Sequence, residues 1–166
     1  SALCASGAIS LEDTAKLLQI RGNSMAACGQ KTQGAMAAII GAEINLVQEV
    51  VNLANQNGEI CQFANDNCVG QIVISGSKSA IDNAIIIAKE KGIKRALPLP
   101  VSGAFHSNLM QEAAIEMKEA LDNIIIKEPK IPLIANVTAD LVSNPDIIRN
   151  LLVEQITGQV RWRETM

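Results

Sequence analysis

Between Gly34 and Pro100 the chain changes hydrophobic period repeatedly. The apolar run Gly34–Gly41 reads as a strand, and Asn45–Asn57 has helical spacing that ends at Gly58. Ile60–Asn65 and Gln71–Ser75 read as strands with a turn between them, Ser77–Lys91 is a helix stopped by Gly92, and Lys94–Leu99 is a last strand. Helices that end at glycine carry the usual C-terminal signal. The order strand-helix-strand-strand-helix-strand predicts a split βαβ, ferredoxin-like unit.

Elements on either side complete the pattern. Leu11–Cys28 reads as a helix capped by Ser10, with Asp13 supplying a weaker form of the capping box. After Pro100, Leu109, Ala113, Met117 and Leu121 recur at helical spacing, so a helix is expected from about Ser107 to Asn123. Ile131–Val137 reads as a buried strand. Pro145 to about Ile156 reads as a helix, with Asn144 as cap and Pro145 at its first position.

Composition narrows the function. The 166 residues are 48% hydrophobic but only 2% aromatic, so the core is aliphatic. A formal net charge of −3 and the shortage of stacking rings argue against a nucleic-acid partner. No apolar run is long enough to span a bilayer. Cys4, Cys28, Cys61 and Cys68 show no C-x-x-C spacing, and one histidine leaves a zinc site without ligands. Free thiols in a cytoplasmic protein, with no metal, are the expectation.

The single histidine, His106, follows the stiff Pro98-Leu-Pro100 entry and precedes a helical run. A loop-to-helix junction is where a scaffold holds a side chain over a cleft, and histidine is the usual general base near neutrality. The alternative is a structural histidine at a helix start. Arg21 is the second informative residue. On a helical wheel Glu12, Lys16, Gln19 and Asn23 cluster on one side, and Arg21 falls nearly opposite, between Leu17 and Met25. It is either a snorkelling or ion-paired arginine, or a fork held ready for a substrate carboxylate.

Leu97-Pro-Leu-Pro-Val-Ser-Gly-Ala-Phe-His-Ser107 closely resembles the histidine segment of the malonyl-CoA:acyl carrier protein transacylase family. Other segments agree with that family in order and spacing. They are Ser1-Ala-Leu-Cys-Ala-Ser-Gly-Ala-Ile9, Gln19-Ile-Arg-Gly-Asn-Ser-Met25, Gly34-Ala-Met-Ala-Ala-Ile-Ile-Gly41, Asn65-Asp-Asn67 and Gly70-Gln-Ile-Val-Ile-Ser-Gly76. The resemblance runs from end to end. It implies an α/β hydrolase-like acyltransferase domain carrying an inserted ferredoxin-like βαββαβ subdomain. Residues 1–31 and 100–166 would then belong to the larger lobe, and 32–99 to the insert.

The resemblance also implies a two-step transfer, in which a serine takes malonyl from coenzyme A and passes it to the thiol of acyl carrier protein. Malonyl-CoA is a substrate, and no cofactor is implied. His106 would be the base, with the main-chain carbonyl of Gln155 holding its other nitrogen. Arg21 would bind the malonyl carboxylate, and Met25 on the same helix would be a further substrate-binding residue. Phe105 would set side-chain specificity, since a phenylalanine before the histidine goes with malonyl and a serine with methylmalonyl. Asn67 would lie near the acyl and pantetheine groups, although Asp66-Asn-Cys-Val69 departs from members with a proline after the asparagine.

Lys89, Lys91, Lys94 and Arg95 form the densest basic cluster, a solvated face or, centred on Lys94 and Arg95, a docking patch for the acidic carrier protein. No G-x-S-x-G turn is present, because Gly22-Asn-Ser24-Met-Ala26 fails at its last position. The family's nucleophile would precede Ser1, its oxyanion-hole glutamine loop would lie further upstream, and its last strand would follow Met166. The expectation is therefore a piece bearing the base but not the serine, inactive alone. The alternatives are a polyketide-synthase acyltransferase domain, a non-catalytic ferredoxin-like binding module, or a remnant.

Overall fold

A computed structural model describes residues 1–56 and 58–166. Its elements in order are α1 (Ala2–Ala5), α2 (Leu11–Thr32), β1 (Gly34–Ile40), α3 (Ile44–Ala54), β2 (Cys61–Cys68), β3 (Gln71–Ser77) and α4 (Lys78–Glu90). They continue with β4 (Arg95–Pro98), a 3-10 turn at Asn108–Met110, α5 (Gln111–Asp122), β5 (Leu133–Ala135), β6 (Asp140–Val142), α6 (Pro145–Thr157) and α7 (Trp162–Thr165).

Strands β1 to β4 form one antiparallel sheet in the order β2-β3-β1-β4, the strand order of the ferredoxin-like unit. The period of two sorts its side chains between faces. Ala37, Ile39, Ile72, Ile74 and Ala96 turn toward α3 and α4, where Val47, Val50, Ile81 and Ala84 complete an aliphatic core. The intervening positions Met36, Ala64 and Val73 pack on the other face with Leu99 and Phe105. A second core joins α2, α5 and α6 through Leu17, Met25, Cys28, Met117, Leu121, Ile148 and Ile156. A pocket opens where the uncovered sheet face meets this helical layer.

Four expectations need correction. Helix α2 continues past Cys28 to Thr32 and closes on Gln33, whose φ is 45°. Gly29 lies inside the helix. A Cβ there would lie 2.7 Å from the Ser102 carbonyl oxygen, so glycine lets the helix pass against the loop that leads to His106. Strand β2 runs past the expected end at Asn65 to Cys68, with bulges after Phe63 and Asp66, which puts Asn67 in the sheet rather than in the turn. The expected helix from Ser107 begins instead as a 3-10 turn, and Met110 is fully buried while Leu109 is only partly covered.

The fourth correction concerns Ile131–Val137. It is not a buried strand but half of a small hairpin, β5 against β6, with Ile131, Ile134 and Leu141 exposed. Pro132 lacks a ladder donor, and an apolar run alone does not say whether both faces are covered. The predicted end of the third helix falls partly on Asn57, which lies outside the described residues; α3 itself closes at Ala54. The Ser10 cap forms, its hydroxyl accepting from the Asp13 N–H at 3.0 Å. Asn144 caps α6 through the N–H groups of Asp146 and Ile147, with Pro145 in the first turn. All four cysteines are free. Among the described residues no helix is long and apolar enough to cross a membrane.

Candidate functional site

His106 sits in a turn with a φ of 58°, a left-handed conformation that a side-chain-bearing residue adopts only when its surroundings impose it. Ser107 imposes it. Its buried hydroxyl donates to the Ala104 carbonyl at 2.7 Å and accepts from the Leu109 N–H at 3.3 Å, which locks the turn on both sides of the histidine. The four-stranded sheet adds a further tie, the Asn108 N–H donating to the side-chain oxygen of Gln62 on β2 at 2.8 Å.

The imidazole Nδ1 lies 3.0 Å from the carbonyl oxygen of Gln155 and 3.1 Å from that of Gly158. A carbonyl oxygen only accepts, so Nδ1 carries the proton and Nε2 is left with its lone pair. Both acceptors lie at the end of α6, where carbonyls have lost their helical partners. The Gln155 side chain joins the same knot by donating to the Gly158 carbonyl at 3.3 Å. Burial lowers the pKa of His106, the carbonyl of Gln155 opposes that, the charge of Arg21 lowers it further, and the carbonyl of Gly158 opposes again.

His106 borders a cavity of about 490 Å³. Helix α2 lines it with Arg21, Gly22, Met25 and Ala26. The sheet contributes Met36, Asn65, Asn67 and Val73, and the loop after β4 contributes Leu99, Val101 and Phe105. The walls are apolar, with Arg21, two asparagines and His106 as their polar groups, the usual make-up of a small-molecule site.

Arg21 is half-buried, and among the described residues it makes no ion pair or hydrogen bond. Burial alone lowers its pKa, although a guanidinium stays charged at any working pH. A guanidinium without a protein partner, facing a cavity, has its five donors free for a ligand carboxylate. Met25 is buried beneath it, one helical turn on. Phe105 packs against both the helical core and the open face of the sheet, so its ring joins the two layers beside the histidine.

The structure therefore gathers His106, Gln155, Arg21, Met25, Phe105 and Asn67 around one cavity or its immediate support. It does not bring Lys94 and Arg95 there. Both are exposed, Lys94 just before β4 and Arg95 at its first position, and Arg95 pairs with Ile40 at the far end of β1, about 13 Å along the strand from Leu99. Ser24, the serine of the failed G-x-S-x-G match, is buried with its hydroxyl between the Ile20 carbonyl and Glu116, away from the cavity. Among the described residues no group of three or more metal-ligating side chains comes together.

Sequence reasoning missed Gly158, Ser107 and Asn65. The signal for Gly158 was its place just past a helix. Its backbone is extended there, and what requires glycine is space, since a Cβ would lie 2.6 Å from a methyl of Val137 and 2.8 Å from the Glu154 carbonyl.

Comparison with known proteins gives this geometry its relatives. Residues 1–166 match the acyl transferase domain family. The malonyl CoA-acyl carrier protein transacylase of Bacillus subtilis is 43% identical over 166 residues, which are 100% of this chain and 52% of that protein. The solved acyl-carrier-protein-S-malonyltransferase of Bartonella henselae is 52% identical and superposes with a TM-score of 0.92, over 99% of this chain and 52% of that one. A malonyl-transacylase solved in complex with a type II PKS acyl-carrier protein is 35% identical, with a TM-score of 0.92 over 97% of this chain and 52% of that one. The chain thus spans about half the length of the relatives it matches.

Proposed function

The chain belongs to the acyl transferase domain family, and from that premise we propose that it carries the base and the carboxylate-binding arginine of a centre that transfers malonyl from coenzyme A to acyl carrier protein in fatty-acid synthesis. One observation carries the reading. Across a single cavity, a histidine whose Nδ1 is committed to two carbonyls faces a guanidinium with no partner among the described residues.

In the proposed reaction Nε2 of His106 takes the proton of a serine hydroxyl as the serine oxygen attacks the thioester carbonyl carbon. The carbon–sulfur bond breaks and the coenzyme A sulfur receives that proton from the imidazolium. The malonyl group is left as a serine ester. The carrier protein's thiol then gives its proton to the same nitrogen and attacks the ester, and the serine oxygen regains a proton. Throughout, the Arg21 fork pairs with the free malonyl carboxylate and Phe105 bounds the carbon between the two carbonyls. Asn67, in the strand facing Arg21, bears on the acyl and pantetheine groups. Gln155 contributes its carbonyl rather than its side chain to the base.

The serine belongs to the family's nucleophile segment. Malonyl-CoA enters as a substrate and no cofactor takes part. Lys94 and Arg95 lie on an exposed strand end outside the cavity, which suits docking of an acidic carrier protein better than acyl binding. The PKS carrier-protein complex of a relative supports such a partner. The reaction belongs to the cytoplasm, where the four thiols stay reduced.

The test is transfer of labelled malonyl from malonyl-CoA to holo-acyl carrier protein by this chain joined to the family's nucleophile segment. Transfer that disappears in His106→Ala supports the reading. Transfer unaffected by that substitution rejects it.

A further inference from the structure

The segment that holds the base also reaches the opposite wall of the cavity. From Gly158, whose carbonyl accepts from His106, the chain runs two residues to Val160. Val160 pairs in parallel with β2, its N–H donating to the Ala64 carbonyl at 2.8 Å and its carbonyl accepting from the Asp66 N–H at 2.9 Å. Three residues on, the guanidinium of Arg163 closes on the Asp66 carboxylate. Nε lies 3.0 and 2.9 Å from its two oxygens, and one Nη lies 2.7 Å from the second.

Asp66 is only 2% exposed, and Arg163 is the cation it meets among the described residues. A buried carboxylate left alone is costly, so the pair strongly prefers to stay closed. Asp66 also lies between Asn65 and Asn67, the two cavity-lining asparagines, and its position is flanked by the bulges that set their direction.

We infer that the Asp66–Arg163 pair is a positioning clamp, which fastens residues 158–163 to β2 and so fixes together the acceptor of His106 and the asparagine wall of the cavity. The inference rests on His106 being the base. Neither residue reaches the cavity, so both act through others. Without the fork, the strap keeps two backbone bonds to an outer strand edge, and the Gly158 carbonyl is free to drift from Nδ1.

The sole histidine makes the test direct, because its ring nitrogens give one unambiguous set of long-range proton–nitrogen NMR correlations in the untagged chain. The wild-type chain is expected to show the Nδ1–H tautomer. In Arg163→Met the share of the Nε2–H tautomer should rise about tenfold, the equivalent of one lost hydrogen bond. The double variant Asp66→Leu/Arg163→Met removes the stranded buried charge as well, so it should fold while showing the same shift. Circular dichroism checks the fold.

A wild-type tautomer ratio in both variants would overturn the clamp. Unfolding of the double variant would also overturn it, assigning the pair to global stability instead. The tautomer is read without any catalysis, so failure of the clamp appears in the spectrum, and failure of the transacylase reading appears in the transfer assay.

Discussion

His106 Nδ1 sits 3.0 Å from the carbonyl oxygen of Gln155, a residue 49 positions later in the chain. This contact decides which nitrogen of the ring is basic. It also decides where that nitrogen points, toward a cavity whose far wall carries Arg21.

The pH dependence follows from the same contact. Burial is the largest influence on His106 and lowers its pKa, with Arg21 adding to the effect and the two carbonyls opposing it. A base with a lowered pKa stays neutral to lower pH, so the acid limb of malonyl transfer should inflect below the ordinary histidine value of about 6.5. Removing the positive charge in Arg21→Leu should move the ring's titration upward. NMR titration of the single histidine reads both directions, and a downward move in Arg21→Leu would contradict the assignment.

Arg21 should discriminate by substrate charge. A charged hydrogen bond contributes about 1.5–3 kcal/mol, so Arg21→Ala should lose roughly tenfold to over a hundredfold in malonyl transfer. Acetyl transfer, which offers no carboxylate, should persist or rise. Competition between malonyl-CoA and acetyl-CoA measures the ratio, and equal loss of both would remove Arg21 from substrate binding.

The sequence made part of this legible. Arg21 stood out because it falls on the apolar side of its helix, and His106 because it is the only histidine and lies at a loop end. The sheet order could be read because strands and helices alternate cleanly between Gly34 and Pro100 and glycines end the helices. What stayed hidden depends on tertiary contact. Asp66 and Arg163 are 97 positions apart, and nothing local marks them as a pair. The hairpin of β5 and β6 was misread as a buried strand because its isoleucines look the same whether or not another layer covers them. Helix α2 runs four residues past its expected end at Cys28, and what lets it pass at Gly29, the nearby carbonyl of Ser102, lies in another segment.

Phe105 should set the size of the acyl group. Its ring is held between two packed layers, so accommodating a branching methyl costs about 1–3 kcal/mol. Phe105→Ser should raise the rate with methylmalonyl-CoA relative to malonyl-CoA by roughly five- to a hundredfold on that scale. No relative gain would reject the steric account.

Lys94 and Arg95 should act on the carrier protein alone. Because both stand outside the cavity, reversing their charges to glutamate should raise the KM for acyl carrier protein and leave that for malonyl-CoA unchanged. The effect should fade with added salt, as expected for exposed charges. Steady-state kinetics with each substrate varied in turn separate the two constants. A matching rise for malonyl-CoA would place these residues on the coenzyme instead.

We propose that His106 and Arg21 serve as the base and the carboxylate clamp for the serine of the family's nucleophile segment. Malonyl loading followed by intact mass tests it most directly, with malonyl-CoA added to the chain alone and to the chain joined to the family's nucleophile segment. Loading of the joined polypeptide only, lost in His106→Ala, is the predicted result. Loading of the chain alone, or of neither, would contradict it.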